Sequence, residues 1–320
     1  MKAPSPDLAL RILRSVLLAR RFEQRLIDLF AAGRLKGWVH SGLGQEATGA
    51  GAAVALGPDD YLVPYHRSRV SLLAKGMSVA AMMAEICGKT TGCCGGFAGE
   101  AHMADPDLRI LGAGGIIGSP IPIGVGLAYA ARVRGTRDVV LCAFGDGATS
   151  RGAFHEAVNM AAVMSLPIVF LCENNGFTEF SPPAVQMRVK TVAERAAAYG
   201  IAGVTVDGVD ALAVNAVVAP ALEQARAGGG PTLIEAVTTR WRGHYEGDPQ
   251  RYRDPEELAA TLGRDALALL TARLQADGVL TQDALARLEA DVTAEIDAAV
   301  QAAFDAPEPT LDDLKGIVLA

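Results

Sequence analysis

The stretch GDGATSRGAFHEAVNMAAVMSLPIVFLCENN, residues 145–175, carries oxygen-rich side chains at both ends and is mostly apolar between them. The apolar run DVVLCAF (138–144) precedes it directly, and a second run, PIVFLCE (167–173), lies near its end. Both runs are short and contain β-branched residues, which is typical of buried strands, and a helix-like stretch separates them. The pattern predicts a βαβ unit with two neighbouring parallel strands.

Asp146 and Asn175 follow these two predicted strands at the point where each strand ends. Because both strands of a βαβ unit end at the same edge of the sheet, we expect the two side chains to lie within reach of each other. A carboxylate, a carboxamide and backbone carbonyls form an oxygen set of low charge that suits Mg²⁺ completed by phosphate and water. The stretch therefore predicts a Mg²⁺ and diphosphate site, although either polar tripeptide alone is also typical of a tight turn.

Gly145, Gly147 and Ala148 complete the predicted site on its phosphate side. Glycine allows the backbone to approach a phosphate closely. Residues 148–151 are predicted to open a helix whose first N–H groups favour an anion.

The remainder of the chain also alternates apolar strands with helices. Further strands are predicted at 204–206 and 232–237, and helices at 7–32 (with Asp7 as its N-cap), 42–57, 78–88 and 124–134. We expect an α/β fold, mainly a parallel sheet with helices on both faces. The predicted segments are an N-terminal helix (1–35), an α/β domain (36–254) and a C-terminal helical segment (255–320) packed on that domain or on a partner.

Composition narrows the classes of function. The 320 residues carry a net charge of −7, which disfavours a nucleic-acid binder. We expect neither a signal peptide nor a membrane span, since no apolar run is long enough.

Five cysteines in a chain of this size predict free thiols and a reducing cytoplasm. The adjacent Cys93 and Cys94 lack the second pair of a zinc site, so structural thiols are favoured.

The segment GAGGIIG (112–118) nearly spells a dinucleotide-binding fingerprint. The preceding DPDLRIL is a poor strand, Pro120 and Pro122 stand where a helix would have to begin, and no acidic residue ends a second strand about 20 positions on. We therefore interpret these glycines as backbone lying close against a flat cofactor ring rather than as a nicotinamide site.

Several long motifs resemble one family. The chain is similar to the α subunits of the thiamine diphosphate-dependent decarboxylase component of 2-oxo acid dehydrogenase complexes, in which Gly-Asp-Gly and Asn-Asn, just under thirty residues apart, form the cofactor motif. The similar segments cover most of the chain: GWVHSGLGQEATGAG (37–51), PYHRSR (64–69), GAGGIIGSPIPIGVGLA (112–128), GDG…NNGF (145–177) and TTRWRGHYEGDPQRYRDPEEL (238–258). Within the family, GHYEGDPQRYR is most similar to acetoin dehydrogenase α subunits.

The resemblance implies a thiamine diphosphate-binding fold and a set of site residues. The implied Mg²⁺ ligands are Asp146, Asn175 and the backbone carbonyl of Phe177. The implied diphosphate contacts are Arg67, Arg240 and His244, and the backbone of Gly115 and Ile117 is implied to hold the aminopyrimidine ring. Three histidines are candidates for catalysis: His244, His40 and His102. Histidine is suited to moving protons near neutral pH, although a structural role is an equally good reading for any one of them.

The resemblance also implies partners. A β subunit is expected to carry the carboxylate that activates the cofactor, in an assembly of two α and two β chains, and a lipoyl-bearing transacylase is the expected acceptor of the acyl unit. The implied activity is cleavage of acetoin or a short 2-oxo acid. The alternatives are a thiamine-dependent carboligase or acyloin synthase without a lipoyl partner, and a non-catalytic scaffold, which the intact motif residues disfavour.

Some positions depart from the family pattern. Arg69 stands where relatives usually have histidine, and Phe97, Ala98 and Glu100 interrupt what is commonly a basic residue followed by GGS. These changes leave the substrate open. Tyr245 replaces a serine that mitochondrial relatives phosphorylate, so we expect no such control here.

Overall fold

A central sheet of five parallel strands organises the computed structural model, which describes residues 4–318. The strand order is β1-β2-β3-β5-β4. The strands are β1 (Tyr61–Val63), β2 (Val140–Gly145), β3 (Ile168–Asn174), β4 (Ala202–Asp207) and β5 (Thr232–Val237). The four predicted strands are all present, and the α/β class with a parallel sheet is confirmed.

The strand β1 was not predicted. It has only three residues, all buried, and pairs in parallel with β2 at the edge of the sheet. A run of three apolar residues is too short to show a period, so the sequence carries no clear signal for it.

The helices are α1 (Pro6–Ala31), α2 (Glu46–Ala53), α3 (Arg69–Lys75), α4 (Val79–Ile86), α5 (Pro120–Arg134), α6 (Gly152–Val163), α7 (Ala211–Arg226), α8 (Pro255–Leu262), α9 (Ala266–Ala276), α10 (Gln282–Asp305) and α11 (Leu311–Val318). Short 3₁₀ segments cover Asp146–Ser150, Pro183–Val185 and Val192–Tyr199.

Several predicted helix starts are wrong, among them that of α2, which is predicted at residue 42 and lies at Glu46. The N-cap of α1 is Ser5, whose hydroxyl accepts the N–H of Leu8 at 3.3 Å, and not Asp7, which lies inside the first turn. The helix α5 begins at Pro120 and not at residue 124, so that both prolines lie in its first turn. The first N–H groups of a helix have no partner inside it, so proline is tolerated in the first turn.

Helices cover both faces of the sheet. Alternate residues of β2 and β3 point to opposite sides: Leu141 and Leu171 face the core under α7 and α10, whereas Cys142 and Phe170 face the core under α5 and α6. Burial on both sides explains why these strands are continuously apolar in the sequence. A third core joins α1 and α2 to α9.

Within residues 4–318, no helix has both the length and the apolar character needed to cross a bilayer. The C-terminal helices pack on the rest of the chain, with α10 against α1 and α4, and α9 against α1 and α2.

Candidate cofactor site

A cavity of about 360 Å³ lies at the carboxyl edge of the sheet, beside the ends of β2 and β3. The register pairs Gly145, the last residue of β2, with Glu173, so the segments that follow the two strands start side by side. The lining of the cavity includes all but one of the predicted site residues: His40, Arg67, Gly115, Ile117, Gly145, Asp146, Gly147, Ala148, Asn175, Phe177, Arg240 and His244. The remaining residue, His102, is exposed and is not part of this lining.

Asp146 and Asn175 meet in this cavity. Burial raises the pKa of the Asp146 carboxyl, and a 3.0 Å hydrogen bond from Thr178 together with the backbone of Asn175 offsets only part of that effect. The Asn175 amide donates to Gln45 Oε1 at 3.0 Å, which orients its carbonyl oxygen to accept the N–H of Phe177 at 3.1 Å.

A bound cation would offset the free-energy cost of burying the negative charge of Asp146. The nearby donors are a carboxylate, a carboxamide oxygen and backbone carbonyls, all hard oxygen ligands. The residues therefore fit a divalent cation of the Mg²⁺ type.

The backbone after β2 differs from the prediction. A 3₁₀ segment, Asp146–Ser150, precedes α6, so no α-helix begins at Ala148. Gly147 also has a packing role, since a Cβ there would lie 2.4 Å from Thr178 Cγ2. A Cβ on Gly145, by contrast, would make an ordinary 3.8 Å contact with Tyr65, which leaves that position open toward the cavity.

Two buried guanidinium groups, those of Arg67 and Arg240, face the cavity. Within residues 4–318, their hydrogen bonds go to carbonyl oxygens, to a histidine ring and to the hydroxyl of Tyr252, and none to a carboxylate. Burial lowers the pKa of both groups, and the proximity of Arg67 helps to lower that of Arg240 to about 10.

The Nε atom of Arg240 is buried and has no hydrogen-bond partner. Two unneutralised cations with a free donor in one cavity call for an anion with several oxygens. A diphosphate satisfies that requirement.

Three imidazole rings cluster at the cavity wall. The ring centroid of His40 lies 5.0 Å from both His66 and His244, and the latter two are 6.2 Å apart. Burial and the neighbouring Arg67 lower the pKa of His66 well below its usual range and that of His244 to about 4. His66 and His244 are therefore neutral near pH 7.

His102 does not line the cavity. Its Nε2 accepts the backbone N–H of Gly115 at 3.0 Å, and a Cβ on Gly115 would approach that nitrogen to 3.2 Å. This hydrogen bond holds the glycine-rich segment, and a catalytic role for His102 stays a prediction.

The segment 112–118 lies against the cavity through Gly114, Gly115, Ile116, Ile117 and Gly118. In the part of the chain that the structure describes, the residues before it form only isolated bridges and no strand. The strand–turn–helix unit of a dinucleotide site is therefore not formed here.

Sequence reasoning missed a buried network beneath Asn175. Gln45 donates to Glu173 Oε2 at 2.8 Å and to the Tyr65 hydroxyl at 2.9 Å, and that hydroxyl donates to Glu173 at 3.1 Å. Burial raises the pKa of Glu173 to about 7. The one feature of the sequence that could have indicated this network is Glu173, a glutamate at the end of an otherwise apolar strand.

Cys93 and Cys94 are free thiols whose sulfur atoms lie 4.0 Å apart. Glu85 lies close to both, but its carboxylate already accepts backbone N–H groups of residues 94, 96, 98 and 99. The Glu85 carboxylate thereby orders the loop after α4, and a structural role for the two thiols stays a prediction.

Comparison with known proteins places this geometry in context. The family model described as "Dehydrogenase E1 component" matches residues 14–312. The chain is 41% identical over 307 residues to the α subunit of an acetoin:2,6-dichlorophenolindophenol oxidoreductase from Bacillus subtilis, covering 96% of this chain and 92% of the relative. A protein of the same name from Cupriavidus necator is 40% identical over 306 residues, covering 95% and 92%. The pyruvate dehydrogenase E1 component subunit α of Porphyra purpurea is 35% identical over 312 residues, covering 95% and 91%.

Proposed function

The chain belongs to the dehydrogenase E1 component family, and from that premise we propose that it is the α subunit of an oxidoreductase that binds thiamine diphosphate and Mg²⁺ and cleaves acetoin or a short 2-oxo acid. One observation carries the proposal. One cavity is lined by the buried Asp146 carboxylate and by the unneutralised guanidinium groups of Arg67 and Arg240. A bound cation would neutralise the carboxylate, and a bound diphosphate would neutralise the guanidinium groups and the cation.

Each group has a role that follows from its position. Asp146, Asn175 and the carbonyl of Phe177 would hold the Mg²⁺. Arg67 and Arg240 would donate hydrogen bonds to the diphosphate oxygens, which rigid guanidinium forks bind well.

The remaining groups act on the ring side of the cavity. The backbone at Gly115 and Ile117 would lie against the aminopyrimidine ring, and His40 and His244 would hold or move protons beside the reacting carbonyl. Bound thiamine diphosphate supplies an electron sink for that carbonyl carbon.

A β subunit is part of the proposal, in an assembly of two α and two β chains. Exposed apolar side chains at the cavity rim support it, notably Ile116 (76% exposed), Phe180 (44%) and Ile117 (39%). Apolar side chains grouped at one place on the surface are typical of a protein interface. Transfer of the acyl unit to a lipoyl-bearing transacylase and a cytoplasmic location complete the proposal.

Coexpression of this chain with a β subunit, followed by dye reduction with acetoin, pyruvate and branched 2-oxo acids, tests the activity. We expect turnover of at least one substrate that requires both added cofactors. No turnover of any of them by a correctly assembled complex would refute the proposed reaction. Products that form equally well without a lipoyl acceptor would favour the carboligase alternative.

A further inference from the structure

His40 differs from the other two histidines of the cavity in having a carboxylate on its ring. Its Nδ1 is hydrogen-bonded to Glu100 Oε1, and its backbone N–H donates to Glu100 Oε2 at 3.0 Å. Among the residues that the structure describes, its Nε2 has no hydrogen-bond partner. The ring lines the cavity, so that nitrogen is the one left for a bound molecule.

Glu100 is itself held in place by a hydrogen bond from Arg69. The buried guanidinium of Arg69 donates to Glu100 Oε2 at 2.6 Å and to Glu23 Oε1 at 2.7 Å, and it also bonds the carbonyl oxygen of His40. Two of the positions that depart from the family pattern, Arg69 and Glu100, are therefore in direct contact. Arg69 carries one positive charge and Glu100 and Glu23 carry one negative charge each, so this cluster beside His40 has a net charge of minus one.

The charges fix the state of Glu100. Burial alone would raise the pKa of this carboxyl, but the hydrogen bond from His40 and the charge of Arg69 outweigh it and lower the pKa to about 2. Glu100 is thus an acceptor at all working pH values, and the hydrogen on the Nδ1–Glu100 contact belongs to the imidazole.

The other rings have no such partner. The charge of Arg67 acts on both His66 and His244, and that of Arg240 also acts on His244. Asp248 accepts the backbone N–H of His244 at 2.7 Å and offsets only part of that positive field. A proton accepted by either ring would lie in a positive environment, whereas a proton accepted by His40 would lie beside Glu100.

We propose that Glu100, held by Arg69, is a positioning residue that fixes His40 with Nδ1 protonated and with a free Nε2 available to exchange a proton with the reacting substrate. In that step a substrate hydroxyl loses its proton to Nε2, the O–H electron pair stays on the oxygen, and the resulting imidazolium is neutralised by Glu100. Return of the proton restores the starting state. The inference rests on the proposed function, because it takes this cavity as the place where substrate reacts.

The tautomer of His40 can be measured without any activity. The full chain contains five histidines, so ¹⁵N-histidine labelling and two-bond ¹H–¹⁵N spectra recorded above the ordinary histidine titration range separate the two neutral tautomers of each ring. We expect His40 with Nδ1 protonated in the wild type. Glu100→Gln keeps an acceptor oxygen and should retain that tautomer, whereas Glu100→Ala should shift His40 toward the Nε2-protonated form.

The matched control is Tyr199→Phe. Tyr199 is hydrogen-bonded to His155 away from the cavity, so this variant should change the spectrum of His155 and leave that of His40 unaltered. An unchanged His40 spectrum in both Glu100 variants, or an Nε2-protonated wild type, would overturn the proposal. Thermal melting of each variant confirms that it is folded, and Glu100→Gln remains informative if the alanine variant is not.

The assembled enzyme supplies a second readout. Glu100→Ala should lower kcat by about tenfold or more, which is part of the roughly 10²–10⁴-fold that general acid–base catalysis contributes as a whole. KM and thiamine diphosphate affinity should be nearly unchanged, and Glu100→Gln should recover part of the loss. An unchanged kcat would contradict the role of Glu100. Failure of the wild-type assembly to bind the cofactor would instead contradict the proposed function, and the two failures are therefore distinguishable.

Discussion

At the scale of single residues, the buried cations of the cavity decide whether a diphosphate can bind. Arg240 is 1% exposed and has a free Nε donor, so its removal would leave phosphate oxygens without a partner. Arg240→Met in the assembled enzyme should weaken thiamine diphosphate binding by about 2–5 kcal/mol, the usual effect of truncating one member of a buried charged pair. Isothermal calorimetry measures this loss.

Arg242 provides the matched control for that variant. It lies two residues further on, is half-exposed and pairs with Glu246, and it does not line the cavity. Arg242→Met should leave the cofactor affinity within about twofold, because the Arg242 side chain lies outside the cavity. Equal losses in the two variants would contradict a specific contact with Arg240.

The buried Glu173 predicts a pH dependence of stability. Because burial raises its pKa from 4.5 to about 7, the folded chain keeps a proton that the unfolded chain releases. Stability should consequently fall as the pH rises from about 4.5 to about 7, by up to about 3 kcal/mol.

Urea unfolding of the metal-free chain at several pH values tests this, with Glu173→Gln as the comparison. The difference in unfolding free energy between the variant and the wild type should shift in favour of the variant across that window. A difference that is independent of pH would show that Glu173 ionises as freely in the folded chain as in the unfolded chain.

The sequence carried unequal information about individual residues. Asp146 and Asn175 could be predicted because each directly follows an apolar strand. Gln45 and Tyr65 could not, because they reach Glu173 and Asn175 from segments more than a hundred residues earlier in the chain. The pairing of Arg69 with Glu100 was hidden because the two residues are 31 positions apart and lie on segments whose contact no local pattern shows, although each residue stood out alone.

At the scale of elements, the helices α2 and α7 pack closely through a glycine. A Cβ on Gly51 would lie 2.4 Å from the carbonyl oxygen of Ala211 and 3.0 Å from Val214 Cβ. Since backbone cannot move aside easily, Gly51→Ala should destabilise the chain by about 1–3 kcal/mol in chemical unfolding.

Gly126 is the control for this prediction. It lies inside α5, is exposed, and a Cβ there would meet nothing within 4 Å. Gly126→Ala should therefore be neutral or stabilise the chain by up to about 1 kcal/mol, because alanine is the better helix former. Similar effects at the two positions would contradict the close approach of α2 and α7.

The elements themselves were predicted well where hydrophobic period and length agreed. The four longer strands and the long helices α1 and α5 follow from apolar patterns, whereas the short β1 gave no periodic signal. The start of α5 differs from the expectation because proline, which breaks a helix in its interior, is tolerated in the first turn of a helix. The 3₁₀ segment after Asp146 could not be told from the start of a helix by sequence.

At the scale of the whole molecule, the proposal expects a β subunit to complete the cavity. If half of the cofactor's surroundings belong to that partner, the α chain alone should bind thiamine diphosphate at least about tenfold more weakly than the assembly, which corresponds to about 1.4 kcal/mol. Calorimetry on the chain with and without a coexpressed β subunit measures the ratio. Equal affinities would mean that this chain forms the site by itself.

The central claim is that Asp146 and Asn175 hold a Mg²⁺ that carries the diphosphate, and one calorimetric series tests it most directly. Thiamine diphosphate is titrated into the assembled wild type, Asp146→Asn and the exposed-loop control Asp59→Ala, each with Mg²⁺ and with a chelator. We expect that Mg²⁺ strengthens binding strongly in the wild type and in Asp59→Ala but not in Asp146→Asn, which stays folded. An undiminished effect of Mg²⁺ in Asp146→Asn would contradict the claim.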